Sequence, residues 1–396
     1  MARYSSALLL LALAGAGAGG VGCSSPSTKV KHADKAHKKP VNKGLLADAR
    51  EDVKNNEYDA ADAKYAELYA EKKSFDVLEE RVDMLIHAGR ATKAVDASKV
   101  YYDAYVSDVK GVGLYTETLI AAGQGNLAIV SADEMLAFNA NDASAHEKKG
   151  RALLLVDKDD EGLAELHKAV NLDKTSAQFH ESLGQALFKS GKIDEAALEF
   201  RAALKTGSND ADAHVLLGSA LRSQGELDEA KRELDQAIQL DGRSGKAYFE
   251  LGLLLNAQTK QPEAEVALSK AVQLAPNESR FWYAYGEIFR LSQRDDEALN
   301  AYKKAVDLDP PYGKAMTKLG TMLIKRKQLD AAETVLTNAV RREPKNPANY
   351  LPLGVLYATK RQPKPAIDNY ELFLKYAGKN DPDRDRVKEA INQLKH

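Results

Sequence analysis

The chain has one cysteine and one tryptophan in 396 residues. A lone thiol, Cys23, excludes an internal disulfide framework, and no Cys/His ligand set of zinc-module spacing is present. The motifs G-x-x-x-x-G-K-[ST], H-E-x-x-H and G-x-S-x-G are absent, which removes the common phosphate-cradling, metalloprotease and serine-hydrolase readings. No catalytic, cofactor or metal residue is assigned, and the chain reads as a non-enzyme. Neither charge sign dominates, with 56 Lys+Arg against 58 Asp+Glu. Nucleic-acid binding by counterion release needs a basic track, and none is seen. A long apolar run is also missing. The only candidate, Ala7–Ala14, is too short for the roughly 20 residues of a membrane-spanning helix.

What is present is a period. Gly150, Gly184, Gly218, Gly252, Gly286, Gly320 and Gly354 stand 34 residues apart without a slip. Gly162, Ala196, Ala230, Ala264, Ala298, Ala332 and Ala366 follow in phase, then Ala169, Ala203, Ala237, Ala271, Ala305 and Ala339, with Phe373 as the exception. Apolar residues recur at helical spacing within each unit, as in Leu183 and Leu187, then Ala197, Phe200 and Leu204. Two helices per unit are expected, with small residues where helices cross closely and large ones filling the gaps. One such hairpin cannot bury its apolar face alone, so neighbours must stack on it.

These residues resemble the tetratricopeptide (TPR) family, whose 34-residue helix–turn–helix unit carries small residues at positions 8, 20 and 27. Leu183-Gly184, Leu187, Gly191, Ala196, Phe200 and Ala203 fit the pattern in one unit. Trp282, Tyr285-Gly286, Phe289, Ala298, Tyr302, Ala305 and Pro310 fit it in another. The resemblance implies an all-α, right-handed TPR superhelical solenoid. Seven repeats cover 143–380, and phase survives upstream in a degenerate stretch, 45–142, where Thr116 and Val82 replace the glycine. About ten repeats are expected, closed by a C-terminal capping helix in 381–396 with Val387, Ala390, Ile391 and Leu394 on one face. The unit 143–176 departs most, with Lys149, Gly162 and an acidic turn at Asp157–Asp160. It reads as a degenerate repeat or as a flexible boundary.

The N-terminus carries a second pattern. Arg3, the apolar run and a small-residue stretch read as a signal peptide, 1–22. Gly20-Val21-Gly22-Cys23 resembles the lipobox of bacterial lipoproteins, although Gly20 stands where leucine is usual. The resemblance implies lipidation of Cys23, and Ser24 then implies the outer membrane, with the protein facing the periplasm. Cleavage after Ala16-Gly17-Ala18 and simple periplasmic secretion is the alternative. Residues 23–44 form a basic tether with six lysines against Asp34, while the rest, without Arg3, holds 49 Lys+Arg against 57 Asp+Glu. Beside an anchor, such lysines gain about 1 kcal/mol each near anionic head groups. A solvated spacer is the plainer reading.

His146, His180 and His214 share one repeat position. Equivalent helices lie roughly 8–10 Å apart or more, so these rings cannot share one ion at about 2 Å. They are expected to be packing residues with a polar tip. The TPR resemblance implies that the first helix of each unit lines a concave groove. Carried over residue by residue, it selects Val215, Phe249, Leu253 and Tyr283 with Arg222, Lys246, Arg280, Arg290 and Lys314. An aromatic and basic strip on an acidic body suits a peptide dock, though Val215 and Leu253 also suit inter-repeat core. The lysine/asparagine clamp of chaperone-tail-binding TPR domains is absent. The expected role is a protein-interaction scaffold that binds envelope proteins or their peptide segments and assists assembly of a secretin or type IV pilus-like complex. The alternative is an adaptor for peptidoglycan enzymes.

Overall fold

The computed structural model describes residues 42–395, apart from 106, 208–209 and 309–312. The expected signal peptide, Cys23, nearly all of the tether and Pro310 lie outside the described residues. Among those described there are 21 α-helices and no strand. They are α1 (Lys43–Lys54), α2 (Tyr58–Lys72), α3 (Phe75–His87), α4 (Ala91–Ala104), α5 (Val109–Ala121), α6 (Gly125–Phe138) and α7 (Ala143–Leu154). Next come α8 (Asp159–Leu172), α9 (Ala177–Lys189), α10 (Ile193–Lys205), α11 (Ala211–Gln224), α12 (Leu227–Leu240), α13 (Gly245–Ala257) and α14 (Gln261–Leu274). The last are α15 (Ser279–Leu291), α16 (Asp295–Asp307), α17 (Gly313–Lys325), α18 (Leu329–Arg342), α19 (Pro347–Thr359), α20 (Pro363–Tyr376) and α21 (Arg384–Lys395). Among the described residues, twenty helices thus follow one another in ten successive pairs, and α21 comes after them. None of these helices is long and apolar enough to cross a membrane.

The chain divides into two compact units between Met84 and Leu85. In the first, Asn42 caps α1 with its side chain, so the helix takes in the last two residues of the expected tether. Tyr65, Leu68, Leu78 and Val82 are buried there. Arg50 Nε donates to Glu80 Oε2 at 2.9 Å, and Arg81 Nε donates to Asp62 Oδ1 at 2.7 Å. The bonded Arg50 guanidinium holds the Glu80 carboxyl below the usual carboxylate range.

The second unit is a helical-repeat superhelix, and the glycine period has a steric cause in it. A Cβ added to Gly184 would stand 2.6 Å from Phe200 Cε1, and one on Gly252 would stand 2.5 Å from Leu268 Cγ. Gly150 meets Leu166, Gly218 meets Leu234 and Gly286 meets Tyr302 in the same way; Gly320 and Gly354 meet Leu336 and Tyr370. Each glycine thus receives the large side chain sixteen residues on, across the crossing of its own two helices. Thr116 breaks the pattern, and the residue sixteen on is the small, fully buried Ala132. The Thr116 hydroxyl donates to Ser131 Oγ at 2.8 Å, so the polar group is satisfied inside the crossing.

The turn between the helices is equally periodic. Gly89, Gly123, Asp157, Gly191, Gly225, Thr259, Gln293, Lys327 and Arg361 all have positive φ, 34 residues apart. After each, an N–H reaches back five residues, as in Lys192 N to Leu187 O and Lys260 N to Leu255 O, both 2.9 Å. This 6→1 bond around a left-handed residue is the Schellman termination of a helix. The second helix then starts at once with no side-chain cap, and in α8, α10, α12, α14, α16 and α18 it has acids in its first turn, for example Asp194 and Glu195 in α10, which oppose the positive helix end. The acidic turn of unit 143–176 is built the same way, with Asp157 in the left-handed position.

First helices touch the first helices of the next hairpin, in the pairs α5/α7, α7/α9, α9/α11, α11/α13, α13/α15 and α17/α19. They therefore form the inner side of the curve. Contacts between hairpins repeat at fixed offsets. Gln224 Nε2 donates to Asp194 Oδ1 at 2.8 Å, and Lys360 Nζ donates to Asp330 Oδ1 at 2.8 Å, each 30 residues back. The array ends on α21, which buries Val387 and Ile391 and packs Ala390 and Leu394 against the same cluster. Arg384 Nη1 donates to the carbonyls of Leu374 and Ala377 at 2.8 and 3.0 Å, satisfying the open end of α20.

Candidate functional site

The nine groove residues selected from the sequence do not form one strip. Phe249, Leu253, Arg280, Tyr283 and Arg290 line a single pocket of ≈ 380 Å³ on the inner side, between α13 and α15. Leu268, Ala284 and Ile288 complete its floor, and Asn256, Glu287 and Leu291 its walls. Leu291 is 46% exposed there. The Arg280 guanidinium sits 5.6 Å from the centre of the Phe249 ring, and that ring stacks on Phe281 at 4.4 Å. Tyr283 leans on Tyr302 at 5.9 Å.

One acid stands in the pocket. Glu287 accepts from Arg290 Nη2 at 3.0 Å and from the Tyr302 hydroxyl, with Lys318 Nζ 3.5 Å away. Burial pushes the Glu287 carboxyl up, but these bonds and the nearby cations hold it below the usual carboxylate range. Burial, followed by the Glu287 contact, pushes the Tyr302 phenol up.

The other four residues lie elsewhere. Val215 is 6% exposed and belongs to the core between hairpins, so it is not a groove residue. Arg222 is pinned to Glu250 at 3.1 Å, and Lys246 is paired with Asp212 at 3.0 Å, one full repeat back. Lys314 is exposed on α17 and does not line the pocket. Phe249 needs a second correction. At 6% exposure it is a core ring that forms the pocket wall, not a surface anchor. Its removal would create a cavity.

A polar network on α5, α7 and α9 was missed from sequence. Glu117 accepts from Lys148 Nζ at 2.9 Å and from Arg151 Nη2 at 2.8 Å. Ser182 Oγ donates to Glu147 Oε1 at 2.6 Å, and Glu147 is fully buried. Burial pushes the Glu117 carboxyl up, but Lys148 and Arg151 outweigh it and bring it down to about 2. The partners stand 31 to 35 residues apart. Only the known stacking of equivalent positions could have paired them.

The three histidines each meet a glutamate of their own hairpin. His146 faces Glu165, His180 faces Glu199 and His214 faces Glu233, with Nδ1 at 2.5, 2.6 and 2.7 Å from the carboxylate. The second nitrogens of His146 and His180 lie 3.1 Å from the carbonyls of Ala140 and Lys174, six residues back. Trp282 and Tyr350, at the same repeat position, donate to the carbonyls of Pro276 and Pro344 six residues back. The position is thus a staple on the incoming turn. Among the described residues no group of three or more His, Cys, Asp or Glu is placed to hold a metal ion. A second cavity, ≈ 560 Å³, lies between Tyr248, Leu251, Val266 and Tyr285, with Val266 71% exposed.

Comparisons with known proteins agree with this architecture. The tetratricopeptide-repeat model matches residues 158–214, 181–242 and 215–279. The TPR domain of cytochrome c-type biogenesis protein H matches residues 262–384. Tetratricopeptide repeats therefore run through 158–384. No curated protein matches the sequence. Among solved structures, the APC/C hetero-tetramer Cut9–Hcn1 is 16% identical with a TM-score of 0.56, over 86% of this chain and 60% of that one. The human IFIT1 dimer with PPP-AAAA is 15% identical with a TM-score of 0.53, over 84% and 89%. Pseudomonas aeruginosa pilF is 20% identical with a TM-score of 0.48, over 55% and 98%. At their identities, the first two likenesses are of fold alone.

Proposed function

We propose that the chain is a non-catalytic scaffold whose inner helices hold a segment of a partner protein in the pocket between α13 and α15. The observation that carries this is the pocket itself: an aromatic and aliphatic recess with arginines at its edge, on the inner side of stacked repeats. Stacked hairpins supply it preformed, so little ordering is needed on the scaffold's side when a segment docks. TPR proteins are generally such scaffolds, and neither matching family model describes an enzyme.

The finer reading places the scaffold in a bacterial envelope, anchored by lipid on Cys23 in the outer membrane and facing the periplasm. Its support is the lipobox-like Gly20-Val21-Gly22-Cys23 and the basic stretch after it. An assembly role, secretin or pilus-like, is in keeping with the biogenesis protein whose TPR domain the C-terminal repeats match. A photo-crosslinker at Leu291 in living cells tests the pocket, with one at outward-facing Val266 as the control. Crosslinks from Leu291 to secretin or pilus components are expected. Crosslinks to peptidoglycan synthases or hydrolases would instead make the chain a wall-enzyme adaptor, and crosslinks from Val266 alone would move the binding surface off the groove. Separately, Cys23→Ser should release the protein from membranes into the periplasmic fraction. Unchanged membrane association would end the anchor reading.

A further inference from the structure

The ionic bookkeeping of the pocket between α13 and α15 does not close. Its one carboxylate, Glu287, is already engaged by Arg290, Lys318 and the Tyr302 hydroxyl. Arg280 is the remaining cation, and it has no ion-pair partner among the described residues. Its contact is with the Phe249 ring, 5.6 Å away, and that contact uses none of its five N–H donors as hydrogen bonds. The recess below is apolar, formed by Leu253, Leu268, Ala284 and Ile288. At ≈ 380 Å³ it stands near the lower end of ligand pockets, a size for one or two side chains. The inner face continues to α11 on one side, and on the other Lys318 of α17 reaches Glu287. A segment lying on this face has room to run on past the pocket in both directions.

We infer that this pocket recognises an internal acidic–apolar segment of a partner protein, with one apolar side chain in the recess and the carboxylate of a neighbouring Asp or Glu on the Arg280 guanidinium. The inference rests on the groove reading above and adds the chemistry of the occupant. Arg280 suits the role because its planar fork binds a carboxylate through two parallel N–H donors, while the ring beside it supports the cation. Arg290 cannot substitute, since Glu287 holds it.

Fluorescence anisotropy on the full chain tests this with labelled, amidated nonapeptides. Each has a central phenylalanine flanked by aspartates, asparagines or lysines, and a further peptide has serine at the centre. The aspartate-flanked phenylalanine peptide is expected to bind at least about tenfold tighter than the lysine-flanked one, and tighter than the serine version. Arg280→Gln should lose that preference by about tenfold at an unchanged melting temperature. Arg232→Gln, an exposed change on α12, should keep it. Equal binding of the lysine-flanked peptide, absence of binding by every aspartate-flanked peptide, or an unaltered preference in Arg280→Gln would overturn the inference. A free-acid peptide binding much better than its amide would overturn the internal-segment claim in favour of a chain terminus. If the acid preference fails while Tyr283→Ala still releases the peptides, the groove reading survives without it. If Tyr283→Ala releases nothing and Leu291 yields no crosslinks in cells, both fall.

Discussion

Thr259 holds φ at +60° in the turn between α13 and α14, where four other hairpins use glycine. A β-branched side chain is strained there, and the left-handed region costs an L-residue roughly 1–2 kcal/mol. Thr259→Gly gives back part of that in unfolded-state entropy. It should still raise stability by about 0.5–1 kcal/mol, measured as a higher urea midpoint at constant slope. Gly184 poses the opposite case. A methyl there would lie 2.6 Å from Phe200 Cε1 inside a full core. Gly184→Ala should therefore destabilise by about 1–3 kcal/mol although alanine is the better helix former. A neutral or stabilising result in the same melts would show that the crossing can open. Gly184 was visible in the sequence as a member of a period, whereas Thr259 was not singled out. What the sequence could not supply was the reason, because each glycine's partner is defined only once two helices cross.

Between helices, charge does much of the pairing, and here pH gives a handle. Glu117 on α5 is held at about 2 by Lys148 and Arg151 of α7, against the burial that opposes them. A carboxyl depressed in the folded state adds stability that is full above its unfolded value near 4.5 and fades as pH falls toward 2. Urea melts between pH 5 and 2 should lose on the order of 2–3 kcal/mol from this site. Glu117→Gln should be less stable at pH 7 and show a flatter acid limb; an acid limb identical to wild type would remove Glu117 as its cause. This network was illegible in sequence because its members belong to different repeats, and charged residues on a helix usually read as solvated surface. Phe249 was misread for a related reason: position 5 of the repeat faces inward, but in this hairpin the ring is already covered by Phe281 and Arg280. Phe249→Ala should cost about 3–5 kcal/mol, with loss of cooperative melting preceding any loss of binding. Tyr283, half-buried on the pocket wall, is the cleaner probe.

For the repeat array as a whole, the end matters more than any middle. Val387 and Ile391 of α21 are 1% and 6% exposed, and Arg384 ties the carbonyls at the end of α20. Deleting residues 381–396 should expose the Tyr370–Phe373 surface and cost about 3–6 kcal/mol, from two side chains at about 1.5–3 kcal/mol each. Hydrogen exchange should rise first in α19 and α20 and only later further in, since solenoids fray from uncapped ends. Uniform acceleration through α11–α20 would mean the array melts as one block. The repeat count and the closing helix were legible because they depend on spacing alone. The pocket between α13 and α15 was half legible: five of its residues follow from repeat positions, but its depth depends on Leu268 and Ile288, which look like ordinary core residues in the sequence.

Turns and helix crossings in the second unit join residues at constant separations, 5 and 16, and several cross-hairpin bonds recur at 30. Chain length here is consequently quantised. Excising one whole block of 34, such as 211–244, brings residues of equivalent rank face to face and preserves every class of contact. Cutting out 33 or 35 leaves the helices at the junction one residue, or about 100° on an α-helix, out of register with each other. Length changes by whole modules are the ones that keep the junction in register.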